Sequence, residues 1–172
     1  MKLTAFVSAC LAMFGSFAKA QVQFTSSADA QNDGQAIVTN TSSSALIAIG
    51  FWISNEPCAP MDIQPDVFRI VDVATSLNGK PIAPGQTEKF SIGSKGCNKV
   101  GTTTPAKARF GAAIFQDGVT YGDKQAAERI LDNRRAKLQQ VENSIRSGGQ
   151  GNSLDALKRL RDQILAAKPP LK

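Results

Sequence analysis

The feature that most limits what this chain can become is a change of hydrophobic period near residue 120. Before that point apolar residues alternate with polar or small ones, as in a strand with one buried face. Beyond it they recur every three or four positions, as on an amphipathic helix. The two periods demand different backbones, so the chain divides into a β part and a helical part. Candidate strands are Val22 to Thr25, Ala36 to Asn40, Leu46 to Ser54, Phe68 to Val73, Glu88 to Ile92 and Ala106 to Gln116. Between them stand Asn32-Asp33-Gly34, Asn78-Gly79, Pro84-Gly85 and Asp117-Gly118, which supply the backbone conformations that tight turns need. Six or seven short strands punctuated in this way predict a mainly β protein, an antiparallel immunoglobulin-like β-sandwich. A small closed barrel is the alternative.

The two longest strands each carry a bulky face and a face of small side chains. Strict alternation puts Ile47, Ile49, Phe51 and Ile53 on one face of the first, with Leu46, Ala48, Gly50 and Trp52 on the other. On the last strand it groups Ala108, Phe110, Ala112 and Ile114 against Arg109, Gly111, Ala113 and Phe115. The bulky faces are expected in the sandwich core. The small faces leave room for another element to approach closely.

The helical part supplies that element. Asp123 is a good N-cap, and the next 23 residues contain neither Gly nor Pro. Ala127, Leu131, Leu138, Val141 and Ile145 form a heptad-like stripe, with Ile130 beside it and Arg134 occupying one stripe position. Ser147-Gly148-Gly149-Gln150-Gly151 is expected to end this helix. Asn152 or Ser153 then caps a second one, with Leu154, Leu157, Leu160, Ile164 and Leu165 on one face, and Lys168-Pro169-Pro170 ends it. The short connection predicts an antiparallel two-helix hairpin at the C-terminus, able to pack within one chain or between two.

At the other end, Met1-Lys2, the uncharged stretch Leu3 to Phe17 and Ala18-Lys19-Ala20 read as a secretory signal peptide. A retained anchor is the alternative, although 15 residues fall short of the ~20 that cross a bilayer. Val7-Ser8-Ala9-Cys10 loosely imitates a lipoprotein box, and Ser16-Phe17-Ala18-Lys19 is an S-x-x-K match inside the segment to be removed. The expected organisation is therefore a signal peptide over 1–20, a β-sandwich domain over 21–120 and the helical hairpin with a short Pro-containing tail over 121–172. Cleavage after Ala20 removes Cys10 and leaves two cysteines bound for an oxidising compartment, periplasmic or extracellular. A Cys58–Cys97 disulfide is the simplest pairing, and the chain-entropy model assigns a loop of that size about 4 kcal/mol.

Composition narrows the chemistry. The chain has no histidine, which removes Ser-His-Asp and Cys-His catalysis and histidine metal sites. Of the formal charge of +6, residues 21–120 carry 7 basic and 8 acidic groups and residues 121–172 carry 11 and 6. The basic character therefore belongs to the hairpin. Arg134, Arg135, Lys137, Arg146, Lys158, Arg159 and Arg161 are the candidate partner or anion surface. Glu128, Asp132, Glu142, Asp155 and Asp162 interrupt them at helical salt-bridge spacings, as on an ordinary solvated face. Arg134, on the packed stripe, must snorkel or find a carboxylate. Nucleic acid is not expected as a partner, because no aromatic platform accompanies the charge.

Other constellations have structural readings beside the chemical ones. Asp117 to Asp123 offers two carboxylates for calcium, yet lacks close ligand spacing and serves equally to close a strand and cap a helix. Asp62 with Asp66, and Ser94-Lys95 beside Cys97, are pairs that could serve histidine-free catalysis, and neither is specific. Trp52 is expected under the hairpin rather than exposed to sugars. Asn40-Thr41-Ser42 is formally a glycosylation sequon.

The segments Asn40 to Ala48, Ile82-Ala83-Pro84-Gly85 and Ala113 to Asp123, followed by a helix with Arg134-Arg135, resemble uncharacterised secreted bacterial β-sandwich proteins. The likeness spans most of residues 36–135. It implies an exported immunoglobulin-like sandwich and no particular activity. The leading expectation is a noncatalytic interaction or structural module of the cell envelope, without cofactor or metal, that recruits a protein partner or a second copy through its hairpin. Binding of anionic lipid or polysaccharide by the basic hairpin is the alternative, and a carboxylate-dependent hydrolase the third.

Overall fold

A computed structural model of the chain describes residues 20–28, 34–54, 66–76, 79–97, 102–147 and 152–167. Its elements are β1 (Val22–Ala28), β2 (Gly34–Asn40), β3 (Leu46–Ser54), β4 (Val67–Asp72), a 3-10 turn (Val73–Thr75), β5 (Thr87–Cys97), β6 (Thr102–Pro105), β7 (Lys107–Phe115), β8 (Thr120–Gly122), α1 (Lys124–Arg146) and α2 (Asn152–Ala166). The strands form two four-stranded antiparallel sheets, β1-β2-β5-β6 and β4-β3-β7-β8. The expected strands are present, and β6 and β8 add to them. Both additions are short, too short for a period to show. The signal-peptide segment before Ala20, together with Cys58 and Asp62, lies outside the described residues, as do the side chains of Ser94, Lys95 and Cys97, so the expected disulfide falls there too.

Val22, Ala36, Val38, Leu46, Ile49, Phe51, Ile82, Ala113 and Phe115 make the buried core between the sheets. Phe24 bridges Phe51 and Phe110 at centroid distances of 5.7 and 5.9 Å, within the range of favourable tilted ring packing. A buried polar knot closes one end of the sandwich. The Asn40 amide donates to the carbonyls of Ser44 and Ile82, each at 2.8 Å, and its oxygen accepts from the backbone N–H and hydroxyl of Ser42. The nitrogen of the sequon is thus fully committed inside the fold.

The faces of β3 and β7 correct strict alternation at two places. Leu46 pairs with Phe115 and Ala48 with Ile114, leaving Ile47 as an extra residue in β3; Gly50 pairs with Ala112 and Phe51 with Phe110, leaving Gly111 extra in β7. Each bulge shifts the side-chain phase by one. Leu46 therefore enters the sandwich core while Ile47 packs on the outer side. Ala112 and Ile114 likewise face outward, and Ala113 and Phe115 inward.

The outer face of the second sheet is where α1 lies. Ala126, Ala127 and Ile130 pack there on Ala48, Ala112 and Ile114, with Ile47, Phe68, Ile70 and Leu131 around them. The small residues permit the contact: a Cβ on Gly50 would fall 3.2 Å from Ile130, and one on Gly111 would fall 3.1 Å from Ala126 and 2.8 Å from the Gly50 carbonyl. The Gly111 bulge also aims the helix. Its carbonyl accepts the Asp123 N–H at 2.8 Å, after Gly122 turns the chain at φ 102°. The Asp123 carboxylate then caps α1 by accepting from the Ala126 N–H at 2.7 Å, as expected.

Candidate interaction surface

α1 changes partner along its length. Its first half is seated on the sheet, whereas Leu138, Val141 and Ile145 join Leu157, Leu160 and Ile164 of α2 in a separate hydrophobic cluster. Arg134 stands at the change, 4% exposed. Its Nε donates to Asp72 Oδ2 at 2.5 Å, its Nη2 to Asp72 Oδ1 at 3.0 Å, and its Nη1 to the Ala167 carbonyl at 2.7 Å. Asp72 Oδ1 also accepts the Ala74 N–H at 3.0 Å, capping the 3-10 turn. One buried guanidinium thus fastens the end of β4, the middle of α1 and the last turn of α2. Its contact with Ala167 fixes the antiparallel course of the helices.

Gln163 of α2 repeats the fastening. Its amide donates to the carbonyls of Val73 and Ser76 around the same 3-10 turn. A bidentate guanidinium–carboxylate pair whose third nitrogen is also hydrogen-bonded is the arrangement that tolerates burial, and removing either partner of such a pair costs about 3–5 kcal/mol. The carboxylate that Arg134 required was invisible in the sequence, because Asp72 lies 62 positions away. Gln163 and Asn40 carried no sequence signal either.

The other hairpin cations separate by their surroundings. Arg135 pairs with Asp132 within α1, Arg161 with Asp162 at 2.7 Å within α2, and Lys137 donates to Gln140 at 3.3 Å. Arg146, Lys158 and Arg159 are exposed and, among the described residues, have no carboxylate partner. Arg146 sits in the last turn of α1, where a cation complements the helix dipole.

The remaining acidic candidates take local roles where they are described. Asp117 accepts the Val119 N–H at 3.0 Å and closes the β7–β8 turn, while Asp123 caps α1. Asp66 is exposed just before β4. Trp52 is covered from α1 by Arg129, whose guanidinium carbon lies 4.7 Å from the ring centroid. A cleft of about 550 Å³ opens between the sheets beside β4, with Leu46, Ile49, Val71, Ile82 and Phe90 in its lining. Its one acid deep in the fold, Asp72, is the group held by Arg134.

Comparison of the chain with protein-family models, with curated proteins and with solved structures finds no match.

Proposed function

We propose that the protein is an exported, noncatalytic interaction module in which an immunoglobulin-like sandwich serves as the mount for a helical hairpin, and that the distal half of the hairpin engages a protein partner in the cell envelope. The observation that carries this reading is the division of α1: one half fastened to the sheet through Gly50, Gly111 and Asp72–Arg134, the other clustered with α2 among the described residues. Such a hairpin presents a preorganised surface, so little conformational freedom is lost on binding. The immunoglobulin-like reading draws on the strand order, in which β1-β2-β5 face β4-β3-β7-β8 and the chain crosses between the sheets after β2, β4 and β6. Export draws on the N-terminal segment.

Affinity capture tests the partner reading. The mature chain and an Arg146→Glu/Lys158→Glu/Arg159→Glu variant are used as bait against solubilised envelope from the source cells. The proposal expects a defined partner on the parent bait and its loss from the variant; identical recovery from both would remove the distal face from the account.

The three unpaired cations favour a second reading, retention of anionic lipid or polysaccharide by the same face. Binding of anionic vesicles or glycans that weakens as salt rises would support it.

A further inference from the structure

A second group of cations lies away from the distal hairpin. On the outer face of the second sheet, Trp52 of β3 stands between Phe68 of β4 and Arg109 of β7, each its direct cross-strand partner. The Trp52 and Phe68 rings lie 4.7 Å apart and tilted by 52°, forming one aromatic shelf. Arg129 reaches over this shelf from α1, 4.7 Å from the Trp52 centroid and 5.6 Å from that of Phe68, and Arg109 lies 5.9 Å from Trp52. Both arginines are exposed, and neither forms an ion pair among the described residues. The helical neighbours of Arg129 three and four positions away are Gln125, Ala126, Asp132 and Asn133. The one acid among them, Asp132, is taken by Arg135.

Two like charges are therefore collected on one indole with no ion-pair partner for either among the described residues. Held beside the rings by cation–π attraction, both guanidiniums keep N–H groups that make no hydrogen bond to the described residues. A carboxylate is satisfied by one guanidinium fork. A tetrahedral oxyanion has further oxygens for a second fork and, as a phosphate monoester, close to the two negative charges that this pair lacks. The partly buried rings offer apolar footing for the carbon skeleton beyond the phosphate. We infer that Arg109 and Arg129, mounted on Trp52 and Phe68, form a binding site for the phosphate group of a phosphate monoester. The inference goes beyond the proposed function and uses none of the distal cations.

Trp52 is the only tryptophan in the chain, so its emission reports on the site directly. The full mature chain is titrated with glycerol 3-phosphate and, separately, with phosphatidylcholine vesicles containing phosphatidic acid. The expected result is a saturable change in Trp52 emission with at least one probe. A response to the soluble ester identifies a free phosphate compound as sufficient, and a response confined to vesicles identifies a lipid headgroup. Arg109→Gln/Arg129→Gln is expected to weaken binding at least tenfold, with the urea midpoint measured alongside to verify folding. Arg109→Lys/Arg129→Lys, which keeps the charge but loses the planar forks, is expected to weaken it severalfold and serves if the first variant does not fold. A Lys80→Gln/Lys89→Gln control, which removes two exposed cations away from both candidate surfaces, is expected to bind like the parent. No saturable response to either probe, a response equalled by sodium chloride at matched ionic strength, or binding undiminished in both arginine variants would overturn the inference.

Discussion

Asp72 shows how much of this fold depends on single polar groups. Asp72→Ala leaves the Arg134 guanidinium buried beside an empty position, and the expected cost is about 3–5 kcal/mol in urea unfolding. Asp72→Ala combined with Arg134→Met removes the stranded charge and should recover part of that loss, giving a strongly non-additive double-mutant cycle; additive losses would show that the two residues do not act as a pair. Asn40→Ala is expected to cost about 2 kcal/mol, because the Ser44 and Ile82 carbonyls each lose one of two donors and the Ser42 N–H loses its acceptor. Gly122→Ala faces two penalties, a positive φ and a Cβ placed 2.5 Å from the Gly111 carbonyl. A thermal melt should show that it is more damaging than Gly85→Ala, where φ is also positive but no atom lies within 4 Å. The sequence announced that Arg134 needs a carboxylate, since a charge on an apolar stripe cannot stay unpaired. It could not say which, because pairing across 62 positions is set by the tertiary fold.

At the scale of elements, the period of two identified the longer strands, and the period near 3.6 identified both helices, including the Asp123 cap. What alternation could not supply was the phase of the faces. One extra residue at Ile47 and another at Gly111 exchange the inner and outer positions beyond them, and a bulge leaves no reliable mark in a sequence already rich in Gly and Ala. The consequence for α1 is direct, since the Gly111 bulge supplies both the carbonyl that receives Asp123 and the gap that admits Ala126. Gly111→Val should loosen this junction. Hydrogen exchange would then report faster exchange in the first turns of α1, with β1 and β2 protected as in the parent. Uniform acceleration across both sheets would show instead that the bulge supports the whole sandwich.

For the molecule as a whole, the hairpin is part of the fold in its first half and an addition to it in its second. Ala48, Ala112, Ile114, Phe68 and Ile70 would meet water without α1, an apolar face that a lone soluble sandwich seldom exposes. The distal helices bury Val141, Leu160 and Ile164 against each other, so their stability depends on the anchorage at Arg134 and Gln163. This cooperativity is the central claim, and Trp52 lies at the junction it concerns. Equilibrium urea unfolding of residues 21–172 followed by Trp52 emission and by far-ultraviolet circular dichroism tests it most directly. The account predicts one shared midpoint for both signals; loss of the helical signal at clearly lower urea, with Trp52 emission still native, would contradict it.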